Sequence, residues 1–357
     1  ESVYKPIILR LKDSGDKQIY NSLIAENKVS FQDRLYDQLK ELIKSRNPET
    51  RLNDDEYENS IKLHLNGDSL IEHGVWVYYP WNNILLHILD EEEFIEVRTN
   101  RNREKITWEE QQELRTKKIG IVGLSVGQSI ALTLAMERTC GELRLADFDT
   151  AELSNLNRLR TGIHNLGINK SVIAAREISE IDPFIKVKVF SDGLLKENMD
   201  EFFTEGGKLD LLVEVCDGLD IKIQSRLKAR ELQIPVVMDT NDRGMLDIER
   251  FDLEPERSIF HGLIDNYLGE DGKPDLDPTR KLEMLMTLVS FEFASDRLKK
   301  SMSEIGKTIT TWPQLASSVV LGGAITTDIS RRILLNEHSE SGRYYADMDE
   351  IIANNRL

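Results

Sequence analysis

Two cysteines, Cys140 and Cys216, are all that the 357 residues provide. Two thiols cannot build a four-thiolate zinc site, and there is no CxxC pair, so structural zinc of that kind is not expected. A disulfide between them is equally at odds with a composition that reads as a reduced, cytoplasmic protein. Positive charge is also scarce: 46 Lys and Arg face 63 Asp and Glu, for a net charge of −17. Binders of phosphate backbones and polybasic membrane contacts both present a basic face, so neither nucleic acid nor a membrane surface is expected as partner. No stretch approaches the ~18 continuous apolar residues of a spanning helix, and the N-terminus lacks the basic-then-apolar order of a signal peptide. The sequence starts at Glu1 without Met, as expected of a chain cut from a longer one.

The rest of the composition is that of a globular protein. Hydrophobic residues make up 40% and charged residues 31%, and the length suits about two domains. Residues 1–104 read as a small α+β module. Lys5–Leu11 has the character of a strand, and Leu35, Leu39, Leu42 and Ile43 fall at helical spacing in the run after Ser30. Val75–Tyr79 and Ile84–Leu89, separated by Pro-Trp-Asn-Asn, predict a hairpin whose aromatics Trp76, Tyr78, Tyr79 and Trp81 are core.

Residues 105–357 alternate strands and helices, which predicts an α/β fold with a doubly wound, mostly parallel, Rossmann-like sheet. Strands are expected at 118–123, 143–147, 186–190, 209–216 and 234–239, and helices at about 127–138, 170–181 and 221–232. Met245–Leu253 predicts an added hairpin. Asp265–Thr279 reads as a mobile acidic loop, and the small residues from Ser317 to Ala324 predict a closely packed helix.

Chemistry concentrates after the first sheet strand. The turn Gly123-Leu124-Ser125-Val126-Gly127 should set backbone N–H groups and a helix N-terminus toward an anion. Asp147 follows Gly127 by 20 residues at the end of the next strand, where an acid bonds a ribose hydroxyl. Then comes Ala146-Asp147-Phe148-Asp149-Thr150-Ala151-Glu152-Leu153-Ser154-Asn155-Leu156-Asn157-Arg158, with Lys170 12 residues beyond Arg158 and Asp217 at the end of a later strand. Arginine and lysine beside a nucleotide suit a triphosphate, whose charge must be neutralised as pyrophosphate leaves. A lone carboxylate at a sheet's C-terminal edge suits magnesium.

The run DFDTAELSNLNR, the G-I-N-K that reaches Lys170 and the V-C-D at Asp217 resemble the ThiF/MoeB/ubiquitin-activating superfamily, over roughly 98–332. That resemblance implies Mg-ATP-dependent adenylation of a carboxylate, typically the C-terminus of a small ubiquitin-like protein. It implies that Asp147 holds the ribose, that Asn155, Arg158 and Lys170 contact the phosphates, and that Asp217 holds magnesium. Gly123, Ser125, Gly127, Asp149 and Asn157 complete the implied nucleotide site. In these dimeric enzymes an arginine ahead of the first strand reaches the partner's triphosphate. Arg103 is the better match and Arg101 the second.

The sequence departs from the family in three places. The glycine turn is one residue short, with Ser125 where glycine is usual. The paired CxxC is missing, and no cysteine lies beyond Cys216, so a thioester cysteine is absent from this chain. Cys216 itself reads as inert packing, and the chain is expected to stop at the adenylate or pass it on. The first module and Asp239–Gly244 also resemble a bacterial ThiF-like subgroup, some of whose members carry a C-terminal nitroreductase-like flavin domain. The acyl substrate stays open among a ubiquitin-like or sulfur-carrier tail, a ribosomal peptide and a small carboxylate.

Two alternatives compete. The same turn satisfies GxSxG, and Asp239 and His261 follow in the order of a serine hydrolase triad with Ser125. The altered turn is also compatible with a non-catalytic nucleotide-binding scaffold. The segment 101–176 holds 12 basic and 9 acidic residues, so the proposed triphosphate site escapes the acidity of the rest.

Overall fold

The computed structural model describes residues 2–26, 28–269, 278–288 and 290–352. The chain divides into two compact units, 1–111 with 179–184, and 112–178 with 185–357.

The first unit contains β1 (Ile7–Leu9), α1 (Ser14–Ala25), β2 (Ser30–Asp33), α2 (Leu35–Arg46), α3 (Asp54–Leu65), β3 (Val75–Tyr79), β4 (Ile84–Ile88) and α4 (Glu91–Arg98), followed by α5 (Trp108–Leu114). Its sheet has the order β1-β3-β4-β2. The apolar runs of β3 and β4 pair as the predicted antiparallel hairpin, with Tyr79 opposite Ile84. The run after Ser30 is first a strand parallel to β4 and turns helical only at Leu35. Leu35, Leu39, Leu42 and Ile43 then form one fully buried stripe. Trp76 is buried and lies flat on the His87 ring, 4.0 Å between centroids.

The second unit contains β5 (Lys118–Val122), α6 (Leu124–Glu137), β6 (Glu142–Ala146), α7 (Lys170–Ile181), β7 (Lys186–Phe190), α8 (Met199–Thr204), β8 (Leu211–Glu214), α9 (Leu219–Glu231), β9 (Val236–Thr240) and β10 (Met245–Glu249). After these come α10 (Pro278–Leu288), α11 (Asp296–Met302), α12 (Ala316–Leu334), β11 (Gly342–Tyr345) and α13 (Met348–Ile351). The strand order is β11-β10-β9-β8-β5-β6-β7. Strands β5 to β9 run parallel, and β10 and β11 add antiparallel at one edge. The winding reverses between β5 and β8. Open sheets of this kind place their ligand crevice at that point, outside the carboxyl ends of the strands.

Helix α12 packs on α6 through its small residues, as predicted: a Cβ at Gly323 would stand 2.5 Å from the Ser129 hydroxyl. The acidic loop expected at 265–279 begins with a 3-10 turn at Asp265–Tyr267, and 270–277 lie outside the described residues. No helix of the described residues is long and apolar enough to cross a membrane. Among the described residues, Cys140 is buried, Cys216 is half-buried, and no disulfide joins them.

Candidate active site

The end of β5 meets the end of β8 at Gly123. Its φ of +90° and its surroundings both demand glycine: a Cβ there would stand 2.8 Å from the backbone N and Cα of Cys216. The predicted helix start at Gly127 moves three residues earlier, to Leu124. The cause is tertiary. Asp147, at the end of β6, accepts the N–H of Leu124 at 2.5 Å and so caps α6 from the neighbouring strand. Gly127 therefore lies in the first turn of the helix, where a Cβ would collide with Ile121 at 2.8 Å; its smallness seats α6 on the sheet.

Asp147 spends its second oxygen on the N–H of Asp149 at 2.8 Å. Burial pushes its carboxyl above the ordinary value, against the pull of those two N–H groups and of Lys170. Asp149 is the acid that faces outward, and its carboxylate pairs with Lys170 Nζ at 2.8 Å. The lysine is itself buried and starts α7. Its neighbour Asn169 caps that helix by accepting the N–H of Ser171, while its amide donates to the carbonyls of Asp147 and Ser191.

Arg158 reaches over the glycine turn. Its Nε donates to the Ser125 hydroxyl at 3.1 Å and its Nη1 to Asn157 at 2.9 Å. Burial pulls the guanidinium below its ordinary value, and the charge of Asp217 opposes that shift. Asp217 is exposed just past β8. Six of the sequence-predicted residues, Gly123, Ser125, Asp147, Asp217, Arg158 and Gly127, thus gather at the switch between β5 and β8. Asp149 and Lys170 flank them beside β6.

Other predicted residues have local partners. Asn155 is buried and accepts the N–H of Glu152, fixing the 3-10 turn Leu153–Asn157. Asn157 donates to the Gln314 carbonyl at 2.8 Å. Arg103 belongs to the first unit, where it is exposed over the Trp108 ring in a cleft with Glu96, Glu104 and Glu109.

The hydrolase triad is not assembled. His261 lies 3.1 Å from Asp247 through Nε2 and 2.9 Å from Arg257 through Nδ1, while Ser125 is bonded to Arg158. Among the described residues, neither oxygen of Asp239 has a hydrogen-bond partner. The GxSxG match reflects a shortened glycine turn and not a nucleophile elbow.

Sequence reasoning missed Asn169 and Gln128. Gln128 is buried on α6 and both donates to and accepts from the backbone of Arg160, which fixes the chain just after Arg158. A polar residue among the small apolar ones of α6 was the available signal. Cys216 is half-buried, and burial with the nearby Glu214 charge pushes its thiol far above the ordinary value, as packing demands.

A doubly wound sheet with a capped glycine turn, an acid after its second strand and basic residues over its strand ends is the architecture of Rossmann-like nucleotide-binding domains. Residues 99–265 match the ThiF family. An uncharacterized protein, MT1398 of Mycobacterium tuberculosis (strain CDC 1551 / Oshkosh), is 40% identical over 345 residues. That match takes in 96% of this chain, which spans only 45% of the relative's length. The molybdopterin-synthase adenylyltransferase of Haemophilus influenzae is 26% identical over 173 residues, 47% of this chain and 69% of that protein. Among solved structures, E. coli tRNA N6-threonylcarbamoyladenosine dehydratase TcdA is similar at 17% identity and a TM-score of 0.49, over 69% of this chain and 97% of that one.

Proposed function

We propose that this chain adenylates a carboxylate with ATP and magnesium and releases pyrophosphate. The observation that carries the reading is the gathering of Arg158, Ser125 and Asp217 at the switch point of the sheet, beside the Gly123 turn. The ThiF-family match and the relative named as an adenylyltransferase support it.

ATP is substrate here. Its ribose lies toward Asp147 and Asp149, and its phosphates lie over the Gly123 turn, within reach of Arg158 and Lys170. Asn155 and Asn157 hold the turn from which Arg158 projects. An exposed single carboxylate fits magnesium, which takes one or two carboxylates and fills its remaining positions with phosphate oxygens and water. Asp217 would hold it, and the ion would supply charge neutralisation at the phosphates. A carboxylate oxygen of the acyl substrate attacks the α-phosphorus in line. The bond from that phosphorus to the bridging oxygen breaks, and its electron pair leaves with pyrophosphate. Arg158 and Lys170 neutralise the charge gathering on the leaving group. In a homodimer, Arg103 of a second protomer would add a further cation.

The acyl substrate we favour is the C-terminus of a small ubiquitin-like or sulfur-carrier protein, or of a peptide. With no cysteine after Cys216 and that thiol packed away, the adenylate is the chain's own end product. A nitroreductase-like domain following this segment in the full-length protein would act downstream of it.

Carboxylate-stimulated exchange of labelled pyrophosphate into ATP tests the reading. Exchange that is lost in Asp217→Ala and Arg158→Ala is the expected result. Tight ATP binding with no exchange, in the presence of a panel of Gly-Gly-ending proteins and peptides, would instead mark a nucleotide-binding scaffold.

A further inference from the structure

Far from these residues in sequence, the first unit brings two imidazoles and a carboxylate face to face. His64 lies in the last turn of α3, His73 follows a 3-10 turn at Leu70–Glu72, and Glu93 lies in the first turn of α4. His64 Nε2 stands 2.8 Å from Glu93 Oε1, and His73 Nε2 stands 3.4 Å from Glu93 Oε2. All three donor atoms lie within 4.8 Å of one another.

The detail that matters is directional. Both Nε2 atoms are shielded from solvent, yet among the described residues neither makes a hydrogen bond of acceptable geometry. Two neutral imidazoles donating to a shared carboxylate would align their N–H groups with its oxygens. Here the nitrogens approach without aligning, and their rings meet edge to face at 77° and 5.5 Å. A group between the three atoms satisfies all of them at once.

The surroundings supply rigidity and leave the donors free. The carbonyl of His73 accepts from His87 Nε2 at 2.8 Å, which pins the backbone at this ligand. Arg46 stands 4.0 Å from Glu93, but its hydrogen bonds go to Glu96, at 2.7 Å from Nη2. Asp68 is engaged by Lys12 at 2.6 Å. Glu93 is half-buried, and its two oxygens face the two histidines, Oε1 toward His64 and Oε2 toward His73.

We infer that His64, His73 and Glu93 form a binding site for a divalent transition metal, Zn2+ by its donor set. Two imidazole nitrogens and one carboxylate oxygen suit zinc and exclude the hard, oxygen-seeking Mg2+ and Ca2+. Three protein ligands leave a fourth position for water. The ion ties the end of α3, the turn before β3 and the start of α4 into one unit. Nothing in this inference rests on the adenylation reading, because all three ligands belong to the first unit.

The test uses the tag-free full chain, stripped with chelator and titrated with Co2+, the visible probe for zinc sites. Saturation at one equivalent per chain, with visible bands of four-coordinate intensity that Zn2+ abolishes, is the expected result. His73→Ala should weaken binding about a hundredfold or more, since losing even the outer partners of metal ligands costs ~10–100-fold. Glu93→Gln, which keeps the side chain's shape, guards against a folding failure in the histidine variant and should weaken binding likewise. Absence of bands in the wild type at millimolar Co2+ would overturn the site, as would unaltered affinity in both variants.

Discussion

Arg158 donates from Nε to the hydroxyl of Ser125 at 3.1 Å, and this bond ties the turn after β6 to the turn after β5. The serine that replaces the usual glycine is thus a fixed acceptor that aims the guanidinium along the strand ends. Under the proposed chemistry the two residues contribute unequally. Arg158→Ala removes a charge that acts on the departing pyrophosphate, and exchange should fall on the order of a hundredfold or more. Ser125→Ala removes only the aim, and a loss of less than about tenfold is expected. Initial exchange rates at saturating ATP make the comparison, and Ser125→Ala matching Arg158→Ala would reverse the assignment.

The close approach at Gly123 gives a stability prediction. Alanine there must adopt a φ of +90° and place its Cβ 2.8 Å from the backbone of Cys216, where no flexible side chain can give way. Strain and displacement together should cost about 3 kcal/mol or more. Urea unfolding of Gly123→Ala measures it. A loss under 1 kcal/mol would mean that the ends of β5 and β8 part more easily than their packing indicates.

Asp239 sets a pH dependence. Its carboxylate, on β9 against Gly322 of α12, has no hydrogen-bond partner among the described residues, and burial pushes its pKa up to about 7. The unfolded chain releases this proton near the ordinary value of 3.8, so between those pH values the folded state holds more protons. Stability must therefore fall as pH rises from about 4 to 7 and level off above. The full span corresponds to roughly 4 kcal/mol. Asp239→Asn removes the ionisation, and it should match the wild type near pH 4 and exceed it at pH 8. Urea midpoints at pH 4.5, 6 and 8 decide, and a less stable variant at pH 8 would show that the carboxylate has a partner in solution.

What could be read in the sequence was what depends on neighbours along the chain. The hairpin of β3 and β4, the stripe on α2 and the alternation of β5 to β9 all follow from apolar spacing within single elements. The SNLNR run and Lys170 carried the family resemblance because their spacing is local too. The start of α6 was not legible, since it is set by the carboxylate of Asp147, 23 residues away on another strand. His64, His73 and Glu93 share no spacing pattern and meet only because α3 and α4 bring them together. Asp239 looked like a triad acid, and only α12 reveals it as a buried carboxyl without a base. In each case the missing information was a tertiary contact.

One such contact links stability to the site. Arg226 is fully buried, bonds Glu249 at 2.7 Å and Glu214 more closely, and lies over the Phe260 ring at 3.9 Å. Glu214 in turn accepts from Lys222 and from the N–H of Cys216 at 2.9 Å, directly before Asp217. Burial alone would raise the carboxyl of Glu214, but Lys222 and Arg226 hold it below the ordinary value; that of Glu249 remains raised. Arg226→Met takes the shared cation from two buried carboxylates and leaves Lys222 on Glu214 only, and should cost about 3–5 kcal/mol. Adding Glu249→Gln removes one orphaned charge while its amide oxygen still accepts the Phe260 N–H that Glu249 holds. The double variant should therefore recover part of the loss, and urea unfolding of both reads the coupling. Because Glu214 anchors Cys216, exchange activity measured well below the unfolding midpoint should drop in Arg226→Met and return in part with Glu249→Gln. Stability that recovers without activity would confine the cluster to a structural role.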